Sequence, residues 1–293
     1  VATVLCGTCA WGDHEDFYPK RVKPNERLEY YARYFPLVEV DSSFYAIPNP
    51  KYVERWAATT GPGFTFNMKA FKGMTGHERS RGPKERAELF PQFRQAIQPM
   101  VESGKLGALL FQLPPWFVLN REHVDYLRVC RDYFHDLTLA VEFRHRSWFE
   151  GEMRAKTLQF LRGEEIVNTI VDEPQIGDAS IPAVAEVTEP SLALLRFHGR
   201  NEETWYIKDA KHAGERFRYH YRQEELAEWV PKIQQLSGQA QRVHVLMNNN
   251  FSNYAVQNAF DMMELLGQPV KRAPLITDQL DLFSLEAKGG MLE

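Results

Sequence analysis

Leu139-Ala140-Val141-Glu142-Phe143-Arg144-His145-Arg146-Ser147-Trp148 is the stretch whose reading decides the fold. A short apolar run ends in one acid, two arginines and a histidine. Runs of this length between turn signals read as strands covered on both faces, the habit of parallel sheets. Buried charge is expensive, so the charges are expected where the strand leaves the core. A barrel of alternating strands and helices uses such strand tips to build a site.

The same pattern recurs along the chain. Short apolar runs at 4–7, 37–40, 64–68, 108–111, 166–171, 192–197 and 243–247 join the one starting at Leu139. Between them, Leu28, Tyr31, Ala32 and Phe35 fall on one helical face, as do Leu89, Phe93, Ile97 and Met100, and Val124, Leu127, Cys130 and Phe134. Only the segment from Pro174 to Pro190 lacks helical spacing, and it is expected to be an irregular loop. Eight strand–crossover units predict an α/β fold of the (β/α)8 TIM-like barrel type, one domain over 1–272 followed by a tail over 273–293. No G-x-G-x-x-G follows a strand, so the open dinucleotide-binding sheet lacks its signature.

Composition narrows the class of protein. The 293 residues are 25% charged and 44% hydrophobic, with a net charge of −4. That is ordinary globular material and argues against a broadly basic nucleic-acid coat. No apolar run approaches a membrane span and no signal-peptide pattern opens the chain. Three cysteines make no disulfide framework, which points to the cytoplasm. Cys6-Gly7-Thr8-Cys9 opens into Trp11-Gly12-Asp13, a loop, so a redox or metal role is the weaker reading of that pair.

In a barrel the strand tips converge on one mouth. Here they are Glu39 and Asp41, Lys69, Gln112, Glu142 and Arg144, Asp172, Arg196 and His198, and Asn248. Glu39 and Asp41 share a face by the period of two, whereas His145 has the wrong parity to point with Glu142. Carboxylates with separated pKa values suit acid–base hydrolysis, with Glu142 or Asp172 as base. Lys69, Arg144 and Arg196 suit an anion such as phosphate or carboxylate, and His198 a proton transfer to a leaving group. The expected catalytic set is Glu142, Asp172, His198 and Lys69. Glu39, Asp41, Tyr45, Gln112, Arg144, Trp148, Arg196 and Asn248 are expected to bind substrate. Trp11, Tyr45, Trp116, Trp148, Trp205 and Tyr206 fall in mouth-side loops and offer ring faces to a base or a sugar. No cofactor is specified; a divalent metal on Glu142 or Asp172, activating water, is the one candidate.

Several strings together resemble the YecE-like family of unknown function, over roughly residues 2 to 270. They are Gly7-Thr8 with Trp11-Gly12, Val38 to Tyr45, Phe111-Gln112-Leu113-Pro114-Pro115, Glu142-Phe143-Arg144-His145 with Ser147-Trp148, Arg196-Phe197-His198-Gly199-Arg200, and Asn248-Asn249 with Tyr254-Ala255 and Asn258-Ala259. The resemblance implies a TIM-barrel-like fold and no settled activity. A looser likeness to the endonuclease IV and xylose isomerase group suggests nucleic-acid or sugar chemistry by fold analogy alone.

In the tail, Gln279-Leu280-Asp281-Leu282-Phe283 is similar to the pentapeptide by which bacterial replication and repair proteins bind the sliding clamp. In that mode Gln279 anchors by hydrogen bonds, while Leu280, Leu282 and Phe283 supply apolar contacts. The leading expectation is a hydrolase-type barrel enzyme on a phosphate- or sugar-containing substrate, including nucleic acid, brought to DNA by the clamp. Two alternatives stand beside it. One is a non-catalytic nucleic-acid or partner-binding module; the other is a sugar or small-acid enzyme with no DNA link, its tail packed on the barrel.

Overall fold

The computed structural model describes residues 2–205 and 213–272. Eight parallel strands close in sequence order: β1 (Thr3–Cys9), β2 (Leu37–Val40), β3 (Thr65–Lys69), β4 (Leu106–Gln112), β5 (Leu139–Glu142), β6 (Val167–Asp172), β7 (Ala193–Phe197) and β8 (Arg242–Met247). β1 pairs with β8 from Thr3↔Arg242 to Thr8↔Met247 and shuts the barrel. This is the α/β TIM-like barrel that the strand–crossover alternation predicts.

Alternate residues divide the core. Cys9, Leu37, Ala108, Leu110, Ala140, Val167, Leu194 and Leu246 fill the barrel. The interleaved positions, such as Val38, Phe66, Leu109, Val141, Ile170, Leu195 and Val245, pack outward against the helices. Gly7 permits the tightest strand contact, since a side-chain carbon there would lie 1.9 Å from the Leu37 carbonyl oxygen. Cys6 and Cys9 are both buried free thiols, one in the outer core and one inside, so the pair points to opposite faces.

Local chemistry starts the crossover helices. Asn49 accepts from the Lys51 N–H at 3.0 Å, with Pro50 at the first turn of Pro50–Thr59. Asn120 accepts from the His123 N–H at 2.8 Å to cap Arg121–Tyr133, which buries Tyr126, Leu127 and Cys130. Between β6 and β7 no helix forms. There Thr188 holds the loop to the strand, accepting from the Asn168 N–H at 2.8 Å and donating to the Ile166 carbonyl at 2.7 Å. No described helix is long and apolar enough to cross a membrane.

Candidate functional site at the barrel mouth

The period of two carries Glu39, Lys69, Gln112, Glu142 and Arg196 to the inside of the barrel, and it continues past the strand ends to Asp41, Arg144, Glu173, His198 and Asn248. The charges do not wait for solvent, as the cost of burial alone would suggest. Glu39, Glu142 and Arg196 are each 0% exposed. They are tolerated there because each pairs with another.

Arg196 bridges two carboxylates, reaching Glu39 Oε1 at 2.6 Å and Glu142 Oε2 at 2.5 Å. Arg144 holds the other Glu142 oxygen through Nε at 2.6 Å, and Glu173 through Nη1 at 3.0 Å. Glu173 also accepts from the Ile181 N–H at 2.9 Å, which ties the irregular loop to the site. His198 Nε2 lies 3.0 Å from Arg144 and 3.3 Å from Glu142, with Nδ1 2.8 Å from the Asn248 amide. With its proton on Nε2, His198 donates to Glu142 and accepts from Asn248; with the proton on Nδ1 and the amide turned over, it accepts from Arg144.

Electrostatics separates the three glutamates. Burial alone would raise Glu142, but Arg144, Arg196 and His198 together hold its carboxyl well below the usual range. Burial wins at the other two, pushing Glu39 up to about 7 against Arg196, and Glu173 up to about 7 against Arg144. His198 is pushed down to about 3 by burial and then by Arg144, so its imidazole is neutral. Glu142 is therefore a fixed anion and a poor proton donor at neutral pH. The two arginines are occupied from both sides.

Above this network opens a cavity of about 860 Å³, lined by Asp41, Tyr45, Lys69, Gln112 and Asn248. Lys69 Nζ is 3.2 Å from Asp41 Oδ1 and 4.7 Å from the Phe44 ring centre. Among the described residues of the lining Lys69 is the one cation, against Asp13, Glu15, Asp16, Asp41 and Glu215, although Arg27 pairs with Glu15 at 2.7 Å. Phe217, Phe251 and Asn250 complete the wall. Asn250 donates to the Cys9 carbonyl at 2.6 Å, joining the ends of β8 and β1. A second cavity of about 360 Å³ adjoins it, sharing Asp13, Asp41 and Tyr45 and adding Trp11.

Two expected site residues lie elsewhere. Asp172 has the outward parity of β6, and its carboxylate accepts from Tyr221 at 2.7 Å, Trp229 at 2.8 Å and Arg200 at 2.8 Å, all outside the barrel. Glu173, one residue on, is the inward acid. Trp148 is 0% exposed, stacked on Phe143 at 4.2 Å and donating to the Phe117 carbonyl. Asp13, Glu173, Asn250 and Phe217 belong to the site and were not picked out by the strand pattern. Only Glu173 carried a usable signal, its parity. Tyr206 and the segment from Gln279 to Phe283 lie outside the described residues.

The donor set does not suit the metal considered from sequence. Both oxygens of Glu142 are taken by guanidinium groups, and both of Asp172 by Arg200, Tyr221 and Trp229. Among the described residues there is no group of three or more His, Cys, Asp or Glu able to hold a metal ion.

Fold and site together define a closed eight-stranded barrel whose mouth is a polar, ligand-sized cavity over a buried ion network. The chain belongs to the DUF72 family: the model of that family, described as a protein of unknown function, matches residues 5–280. It is 40% identical over 283 residues to the UPF0759 protein YunF of Bacillus subtilis, covering 96% of this chain and 100% of that one. It is 28% identical over 195 residues to YecE of Escherichia coli, 60% of this chain and 68% of that protein. A crystal structure of a DUF72 family protein from Enterococcus faecalis superposes with a TM-score of 0.83 at 33% identity, covering 93% of this chain and 98% of that one.

Proposed function

We propose that the mouth is the active site of an enzyme acting on a sugar-containing, hydroxyl-rich substrate. The observation that carries this reading is the contrast between the two layers. Below, Arg144 and Arg196 are consumed by Glu39, Glu142 and Glu173. Above, the cavity offers carboxylates, the Gln112 and Asn248 amides and the exposed Tyr45 ring, with Lys69 already facing Asp41. Carboxylates and amides accept from and donate to hydroxyls, and ring faces cover the apolar faces of a pyranose. A phosphate would meet mostly like charge.

Asp41 and Lys69 are the proton-transfer pair in this reading, being the ion pair that lines the cavity. Gln112 and Asn248 orient the substrate, with His198 holding the Asn248 amide from behind. Calorimetric titration with neutral mono- and oligosaccharides, sugar phosphates and short oligonucleotides tests it. Binding of neutral sugars that Tyr45→Ala weakens about tenfold or more supports the reading. Binding of phosphorylated ligands alone overturns it. Turnover of a bound sugar, lost in Asp41→Asn and Lys69→Met, separates an enzyme from a binding module.

Recruitment to DNA is a separate proposal resting on the Gln279–Phe283 string alone. It is tested by titrating the chain with sliding clamp.

A further inference from the structure

The rim loop after β3 holds a buried arginine that makes no ion pair among the described residues. Arg86, in the short helix Pro83–Ala87, is 8% exposed. Its Nε and Nη1 are enclosed, and neither has a hydrogen-bond partner among the described residues. The other buried arginines among the described residues, Arg144 and Arg196, each hold two carboxylates, and Arg86 makes no ion pair of this kind with any described residue. Its neighbours include the Tyr126 ring and the Gly76 backbone. The guanidinium carbon lies 5.4 Å from the ring centre of Tyr126, and a side-chain carbon at Gly76 would come within 3.3 Å of it. Gly76 has φ of +84°, a turn conformation that favours glycine.

The surroundings add positive charge. Lys72, Arg79, Arg81 and Lys84 share the loop, and of these Arg81 is paired with Glu78. Arg79 sits 4.3 Å over the Trp116 ring, whose Nε1 donates to the Gly76 carbonyl at 2.9 Å. His77, in the same loop, is pushed down to about 4 by burial first and then by Lys69, Arg144 and Lys72.

A buried guanidinium without a counter-charge is strongly unfavourable, and an oxyanion is the complement of its N–H fork. We propose that Arg86 anchors an anion site for a small oxyanion, a phosphate or a carboxylate, behind the rim loop. Arg86 does not line the mouth cavity, so this site is distinct from the proposed sugar site and does not depend on it. Its occupant fastens the loop that leads away from Lys69.

Thermal unfolding of the full chain in increasing inorganic phosphate, at ionic strength held constant with chloride, tests the proposal. The midpoint of the native protein is expected to rise and saturate. Arg86→Met is expected to lose that response while keeping its stability in chloride alone, because the uncompensated charge has gone. Arg86→Lys, which keeps the charge but loses the fork, is expected to keep a weaker response, and it serves if the methionine variant does not fold. Equal responses in all three proteins would mean an adventitious ion only and overturn the site. So would Arg86→Met being equally destabilised with and without phosphate, which would make Arg86 a packing group on Tyr126. A sugar phosphate that saturates at lower concentration than inorganic phosphate, in the native protein but not in Arg86→Met, identifies an attached phosphoryl group as the ligand; equal concentrations identify the free anion.

Discussion

Glu142→Gln removes the charge at the centre of the buried network and leaves its shape intact. Both guanidinium groups that Glu142 holds then depend on Glu39 and Glu173, whose carboxyls sit at about 7. Breaking a buried pair by removing one partner typically costs about 3–5 kcal/mol. The low end applies here, because loss of the Glu142 charge lets Glu39 and Glu173 ionise more fully. A loss of about 3 kcal/mol is a large share of the roughly 5–15 kcal/mol that holds a domain together. It corresponds to a fall in Tm of roughly 6–12 °C. Urea unfolding followed by circular dichroism is the assay, with the midpoint shifting at constant slope. The double variant Glu142→Gln/Arg196→Met should lose less than the sum of the single losses, since each removes the same pair. A Glu142→Gln loss below about 1 kcal/mol at unchanged slope, with additive double-variant losses, would show that the network is not the closed ion system described.

Glu39 and Glu173 bind protons more tightly in the folded protein, about 7 against an ordinary 4.5. Their contribution to stability is therefore complete below pH 4.5 and lost as pH rises through about 7, with a slope of up to about 1.4 kcal/mol per pH unit for each group. Glu142 runs the other way: its contribution is present above 4.5 and lost only as pH falls through its depressed value. Unfolding at pH 5 to 7 should release protons, and Glu39→Gln should flatten that slope; an unchanged slope refutes the assignment. Asp172→Asn, which weakens bonds from Arg200, Tyr221 and Trp229, should cost about 2–3 kcal/mol while leaving sugar affinity within about twofold. A large loss of affinity at unchanged stability would return Asp172 to the site. Leu282→Ala with Phe283→Ala should abolish any binding to sliding clamp measured by calorimetry, and absence of binding in the unaltered chain retires that proposal.

The barrel was legible because its signals are periodic. Most inward-facing strand stretches are small or branched apolar residues, with Asn67 and His244 paired inside at 3.1 Å, and the period of two continues through Glu39 to Asp41, Glu142 to Arg144 and Arg196 to His198. The same rule, counted from Val167, would have chosen Glu173 over Asp172; the misplacement came from taking the last strand residue as the tip. Trp148 was not legible, because the turn Arg146–Trp148 folds the ring back under the loops and onto Phe143. Asp13, Asn250 and Phe217 reach the mouth from loops, where no period exists to read. The sequence also counts charges without showing which are paired, so it gave no sign that Arg144 and Arg196 are held by carboxylates.

Pairing changes what the mouth can hold. The tips bring three cations, Lys69, Arg144 and Arg196, which taken alone describe a phosphate clamp. Arg196, from β7, lies between carboxylates of β2 and β5, and Arg144 between those of β5 and the end of β6. Their attraction is spent across the barrel before a ligand arrives. A phosphoryl group could reach these arginines only by displacing Glu39, Glu142 or Glu173; displacing Glu142, which is held as an anion, would leave it charged and unpaired at a cost of several kcal/mol. A hydroxyl-rich ligand displaces nothing: the carboxylates and amides that line the cavity face it directly. On the proposed reading the buried network is a floor whose arginines are already occupied, and a preference for neutral ligands is the expected consequence.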